Sequence, residues 1–90
     1  MKSAHKNELL ALLNAQTNVK ELDILLQGLL TRSEYEDIVL RVQLLKELQN
    51  GTPQRDIAKK LDVSISKVTR GSRALQDSSK LAKSIKMFYK

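Results

Sequence analysis

The stretch QRDIAKKLDVSISKVTR, Gln54 to Arg70, leaves this chain few ways to fold. Its apolar residues Ile57, Leu61, Val63, Ile65 and Val68 have the spacing that packs two short helices across a tight turn. Ala58 is small where two such helices cross most closely. Thr52-Pro53 reads as an N-cap followed by proline at the first helical position, where its missing N–H does no harm. Asp62-Val63-Ser64 reads as the turn, with Ser64 capping the second helix. A helix-turn-helix over residues 53–76 is expected.

The rest of the chain points the same way. Strand-like alternation is nearly absent, and leucine recurs at helical spacing with only 3 glycines and 1 proline to interrupt it. One helix is expected from about Ala4 to Gln16, with Leu9, Leu10, Leu12 and Leu13 buried. A second follows Asn18, a good N-cap, and carries Leu22, Leu25, Leu26, Leu29 and Leu30. Thr31-Arg32-Ser33-Glu34 has the form of a capping box. It opens a long helix whose Tyr35, Ile38, Val42, Leu45 and Leu48 follow the 3.6-residue period to Gly51, a residue suited to the left-handed position past a helix end. A last amphipathic helix starts at Asp77 or Ser78 and repeats Leu81, Ile85 and Phe88. The expectation is an all-α, six-helix chain forming a single domain over residues 1–90. The apolar arcs of the first helices are wider than so short a chain can cover by itself, which assigns residues 1–50 to a dimerisation core. Residues 53–76 hold the helix-turn-helix and 77–89 the C-terminal helix.

Charge separates the two halves. Residues 1–50 hold 6 Lys/Arg against 7 Asp/Glu, whereas residues 51–90 hold 10 against 3. A basic half suits phosphate backbones, although a solvated lysine face or an acidic protein partner has the same composition. No apolar run approaches the roughly 18 residues of a membrane span, and LLALL after Lys2 and Lys6 is too brief for a secretory signal. No membrane is expected, and a cytoplasmic location is the default. Cysteine is absent and His5 stands alone, so neither disulfide nor zinc site is expected. The carboxylates are scattered and a Gly-rich phosphate loop is missing, so no catalytic residues are assigned and the chain is not expected to be an enzyme.

Within the motif, a count of about 100° per residue from Ile65 turns Ser66, Lys67, Thr69, Arg70 and Arg73 outward. These hydroxyl and cationic groups suit phosphates and groove acceptors, with Gln54, Arg55 and Lys59 of the preceding helix on the flanking backbone. Expected DNA-facing positions are Gln54, Arg55, Ala58, Lys59, Ser64, Ile65, Ser66, Lys67, Thr69 and Arg73. Two residues break the pattern. Arg41 falls on the apolar face of the long helix, which means either a pair with Asp37 one turn back, a stem lying on the surface, or an anion site at the core's edge. Gly71 lies inside the second helix of the motif, where it costs about 1 kcal/mol relative to alanine. The angular count puts it on the flank of the apolar side, beside Ala74 and just after Arg70.

LLT at 29–31, LRV at 40–42 and VTRGS at 68–72, at these separations, resemble the Trp repressor family over about residues 22 to 76. The resemblance implies an intertwined helical homodimer that takes L-tryptophan as corepressor and then binds a palindromic operator DNA. It implies no other cofactor and no metal. Carried over, Arg41 and Arg70 sandwich the indole ring, and Arg70 and Thr31 meet the carboxylate. The carbonyls near Gly28 and Leu30 receive the ammonium from the other subunit, and Leu45 and Gly71 line the ring, so that Gly71 becomes a notch for an indole. The chain departs from the family at Ala74, where the family has a serine whose hydroxyl helps hold the ammonium. It is one residue short between Gly51 and Gln54, with proline there, and it differs at Ala58 and Lys67. Besides L-tryptophan, an indole analogue fits the same expectation. A ligand-independent helix-turn-helix regulator, or a helical dimerisation or adaptor module with a basic face, remains open as an alternative.

Overall fold

The structure, a computed structural model, describes residues 1–89. Among these residues it is all helix: α1 (Ser3–Asn14), α2 (Val19–Leu29), α3 (Arg32–Gln49), α4 (Gln54–Leu61), α5 (Ile65–Asp77) and α6 (Ser79–Phe88). The chain divides into two compact units, Met1–Glu36 and the residues from Asp37 on.

In the first unit the helix starts are fixed by side chains. Asn18 accepts from the Glu21 N–H at 2.9 Å, ending the loop after α1. The capping box forms in both directions: the Thr31 hydroxyl accepts from the Glu34 N–H at 3.1 Å, and the Glu34 carboxylate accepts from the Thr31 N–H at 2.8 Å. The Thr31 N–H, and secondarily its hydroxyl, hold the Glu34 carboxyl below its ordinary pKa. The Tyr35 hydroxyl donates to Asp23 at 2.8 Å, tying the first turn of α3 to α2. Burial differs from expectation. No residue of α1 or α2 is buried, and Leu9, Leu10 and Leu12 keep 45%, 50% and 44% of their surface exposed. The apolar arcs that the sequence presents on α1 and α2 stay largely uncovered in the single chain.

The second unit has the core. Ile57 and Val68 are completely buried, and Leu44 and Leu45 nearly so. Leu48, Ala58, Leu61, Val63, Leu75, Leu81 and Ile85 pack around them. Each fully buried aliphatic side chain contributes about 1.5–3 kcal/mol. The long helix therefore buries a face centred on Leu44 and Leu45, whereas Ile38 and Val42, expected inside, are exposed. Phe88, expected on the buried side of α6, is also exposed.

Both α3 and α4 end at a left-handed residue. Gly51 has φ +82°. The Gly51 and Thr52 N–H groups return to the carbonyls of Leu48 and Glu47, both at 3.1 Å, closing α3 in a Schellman arrangement. Asp62 has φ +53° and repeats the arrangement after α4, with the Val63 N–H on the Ala58 carbonyl at 3.0 Å. The start of α4 is a correction. Pro53 itself is the N-cap residue, its carbonyl accepting the Ile57 N–H at 3.1 Å, and no side chain caps the helix. The Thr52 hydroxyl is drawn elsewhere, donating to Glu47 at 2.9 Å. Lys60 reaches the other oxygen of Glu47 at 2.7 Å, so one carboxylate joins α3, the loop and α4.

Candidate functional site

Two features share the second unit, a helix pair with an exposed polar face and a cavity behind it. Ser64 caps α5 by accepting the Lys67 N–H at 3.3 Å, and Val68 anchors the helix in the core. Arg55 and Lys59 of α4, and Ser64, Ile65, Ser66, Lys67, Thr69 and Arg73 at the start and along α5, are exposed. Gln54 and Ala58 are half-buried, Ala58 because it also packs against the core. Ile65 corrects the packing expectation, since it is 52% exposed and contributes to the outer face instead of the helix crossing. The Thr69 hydroxyl lies 3.2 Å from the Gln54 side-chain oxygen and 3.0 Å from the Ile65 carbonyl, bridging the two helices across this face.

The cavity measures about 570 Å³, within the range of small-molecule sites. From α3 it takes Asp37, Leu40, Arg41, Leu44 and Leu45, from α5 Lys67, Arg70, Gly71 and Ala74, with Val63 and Leu81 closing it. On α3 these residues recur at helical spacing, so one face of the helix supplies a carboxylate and a guanidinium near one end and leucines near the other. Four of the ligand positions expected from the sequence, Arg41, Arg70, Leu45 and Gly71, come together here. Thr31, Leu30 and Gly28 do not line it and belong to the first unit. Past Leu29 the backbone turns extended at Leu30, so the last carbonyls of α2 lack helical partners. Among the described residues the ion pairs are Arg32–Glu36 and Lys60–Glu47, so Arg41 is not paired with Asp37.

Gly71 does more than expected. It is buried, not on a flank, and a Cβ built there would collide with Leu44 Cδ2 and come within 3.3 Å of Leu48 Cδ1. The glycine lets α3 and α5 approach while also forming cavity wall. Lys67, read from the sequence as outward only, lines the cavity as well. Val63 and Leu81, expected only as helix-packing residues, line it too, and so do Leu40 and Leu44, which the sequence pattern does not single out. The spacing of Leu44 one turn before Leu48 was the available signal. Among the described residues no group of three His, Cys, Asp or Glu could hold a metal ion, and no helix is long and apolar enough to cross a membrane.

Fold and site together define an all-helical helix-turn-helix protein with a cation-lined cavity against its second motif helix. The sequence profile described as Trp repressor protein matches residues 4–86, and the chain belongs to that family. It is 41% identical over 70 residues to the Trp operon repressor homolog of Xylella fastidiosa strain M23, covering 77% of this chain and 76% of the relative. The Trp operon repressor homolog of Vibrio parahaemolyticus is 34% identical over 77 residues, 84% of this chain and 75% of that protein. That of Photobacterium profundum is 43% identical over 58 residues, 63% and 56% of the two chains. No solved structure matches the chain.

Proposed function

We propose that the protein is a transcriptional repressor, not an enzyme, which binds a palindromic operator as a homodimer when L-tryptophan occupies the cavity. The observation that carries this reading is the meeting of Arg41 and Arg70 in one cavity walled by Leu44, Leu45 and Gly71. Two guanidinium groups and an apolar wall suit an aromatic ring that bears a carboxylate. A guanidinium over an indole face contributes on the order of 1–2 kcal/mol when partly desolvated. Thr31 can serve both roles, because its oxygen accepts the cap hydrogen bond while its hydroxyl proton can turn from the Glu34 carboxylate to a ligand carboxylate. The C-terminal end of α2 near Gly28 and Leu30 carries the partial negative charge that an ammonium favours, supplied in an intertwined dimer by the second copy.

The cavity wall and the exposed face share α5, with Lys67 on both. A ligand wedged between α3 and α5 restrains the reading helix, and gating follows if it binds the DNA-competent arrangement better than the slack one. In the dimer, two reading helices are held roughly 34 Å apart, the one-turn separation that two-fold helix-turn-helix dimers span, Trp repressors among them. Residues 1–50 form the dimerisation core in this reading, 53–76 the DNA-binding motif and 77–89 the closing helix. Such a repressor works in the cytoplasm.

The chain contains no tryptophan, so indole fluorescence reports added ligand alone. Calorimetry with L-tryptophan, paired with gel shifts on palindromic DNA with and without it, tests the reading. Heat on binding and a ligand-dependent shift are expected. No heat, with a shift that ignores the ligand, would leave a ligand-independent regulator in its place.

A further inference from the structure

The charged lining of the cavity is unequal: Arg41, Lys67 and Arg70 are cations, and Asp37 is the single acid. Asp37 sits one turn before Arg41 on α3, so the two side chains lie on the same helix face. The ion pairs of the described residues, Arg32–Glu36 and Lys60–Glu47, leave the Asp37 carboxylate uncommitted to Arg41 or Arg70. The remaining lining side chains, Leu40, Leu44, Leu45, Val63, Ala74 and Leu81, carry no hydrogen-bonding atom, and Gly71 has no side chain. A ligand that brings both a carboxylate and an ammonium into this space meets three groups that attract the first and repel the second.

We propose that Asp37 is a specificity residue of the cavity: its carboxylate takes one N–H of the ligand's α-ammonium, beside the α2 carbonyls of the second copy, and so favours an amino acid over an indole acid without an amino group. The inference rests on the corepressor reading above and names a recognition element for it within this chain. Ala74 presents only a methyl group to the cavity, so no hydroxyl on α5 at that position takes this part. On α3, Asp37 supplies an acceptor with full negative charge, and charge-assisted hydrogen bonds of this kind are roughly twice as strong as neutral ones. The arrangement also orients the ligand. With its ammonium toward Asp37 and its carboxylate toward Arg70 and Lys67, the side chain is directed along the leucines.

The test is a cycle of two ligands and two proteins. L-tryptophan and 3-indolepropionate, the same skeleton without the ammonium, are titrated calorimetrically into the full-length protein and into Asp37→Asn, with thermal melts of both proteins without ligand as a check on folding. Asp37→Asn keeps the shape and removes the charge. It should weaken L-tryptophan about five- to tenfold, the loss of one charge-assisted hydrogen bond at an exposed rim, while 3-indolepropionate binds as before or more tightly. Equal weakening of both ligands, or undiminished L-tryptophan binding, would overturn the assignment to Asp37 and leave the corepressor reading standing. Failure of both ligands to bind the unaltered protein would overturn the corepressor reading and this inference with it.

Discussion

Gly71 and Lys67 show how much a single residue does in this protein. Gly71 saves no strain, since its backbone is ordinary helix; its worth lies in the missing Cβ, where Leu44 packs. Substitution by leucine sets a helix-propensity gain of about 1 kcal/mol against overpacking costs of about 1–3 kcal/mol, increased here because Leu44 and Leu48 must both yield. Gly71→Leu should therefore lower the melting temperature by several degrees even without ligand; a melt at or above that of the unaltered protein would contradict the packing described for Leu44. The same substitution blocks the cavity, so the arginines give the cleaner ligand test. Arg41→Ala and Arg70→Ala should each weaken L-tryptophan about tenfold in calorimetry, the equivalent of roughly 1.4 kcal/mol and within the range of a partly desolvated guanidinium–indole contact. Unchanged affinity in both would remove the sandwich. Lys67→Ala should reduce operator affinity in gel shifts and, because Lys67 also lines the cavity, weaken the ligand as well.

At the level of elements, the helices were readable from the sequence and their burial was not. Asn18, Thr31, Ser64 and Gly51 mark element ends by chemistry local to a few residues, and all four act as expected. Thr52 does not, because its hydroxyl finds the Glu47 carboxylate 2.9 Å away, a partner on the preceding helix that a local rule does not consider. Likewise the face of α3 shifts to Leu44 and Leu45, since what is buried depends on which helix arrives, and α5 arrives with a glycine opposite Leu44. The arginine pair of the cavity was recognisable by resemblance, whereas Asp37, exposed and one turn from Arg41, looked like an ordinary helix ion pair.

The turns make testable demands of their own. Asp62 holds φ +53°, tolerable for an aspartate but severe for a β-branched residue, and its charge faces the negative end of α4. Asp62→Val should cost about 1–2 kcal/mol in denaturant unfolding while Asp62→Gly costs nothing or stabilises; equal losses would mean that the backbone conformation does not matter there. Glu47 offers a pH test. Lys60, and next Thr52, hold its carboxyl below the ordinary range, so the folded protein binds this proton more weakly than the unfolded chain. The stability it provides is complete above the ordinary carboxylate value of about 4.3 and disappears as pH falls through the lowered folded value. In Glu47→Gln, unfolding measured across that acid range should depend less steeply on pH; an unaltered slope would discount the Lys60 and Thr52 contacts.

Across the whole molecule, charge and apolar surface are divided between the halves. The near-neutral half exposes leucine and the basic half exposes lysine and arginine. Leu9, Leu10, Leu12, Ile24 and Leu29 each keep between 44% and 61% of their surface, and Ile38 and Val39 on α3 keep 43% and 52%. Scattered apolar residues are ordinary on a protein surface, but a series recurring through three successive helices is the form of an interface. Covering the remaining half of each such side chain is worth about 1 kcal/mol apiece, from roughly 1.5–3 kcal/mol for complete burial. Seven of them offset a large part of the association cost of two small chains, about 4–15 kcal/mol. Sedimentation should therefore give twice the chain mass of 10.2 kDa, and the melting temperature should rise with protein concentration because folding and association are linked. A paired Leu9→Asp and Leu12→Asp change, which leaves the core around Ile57 and Val68 untouched, should shift the sedimenting species toward one chain and remove the concentration dependence. A species of single-chain mass in the unaltered protein at tens of micromolar, melting at a fixed temperature, would exclude the proposed dimer core, and with it the proposed contribution of a second copy's α2 end to ligand binding.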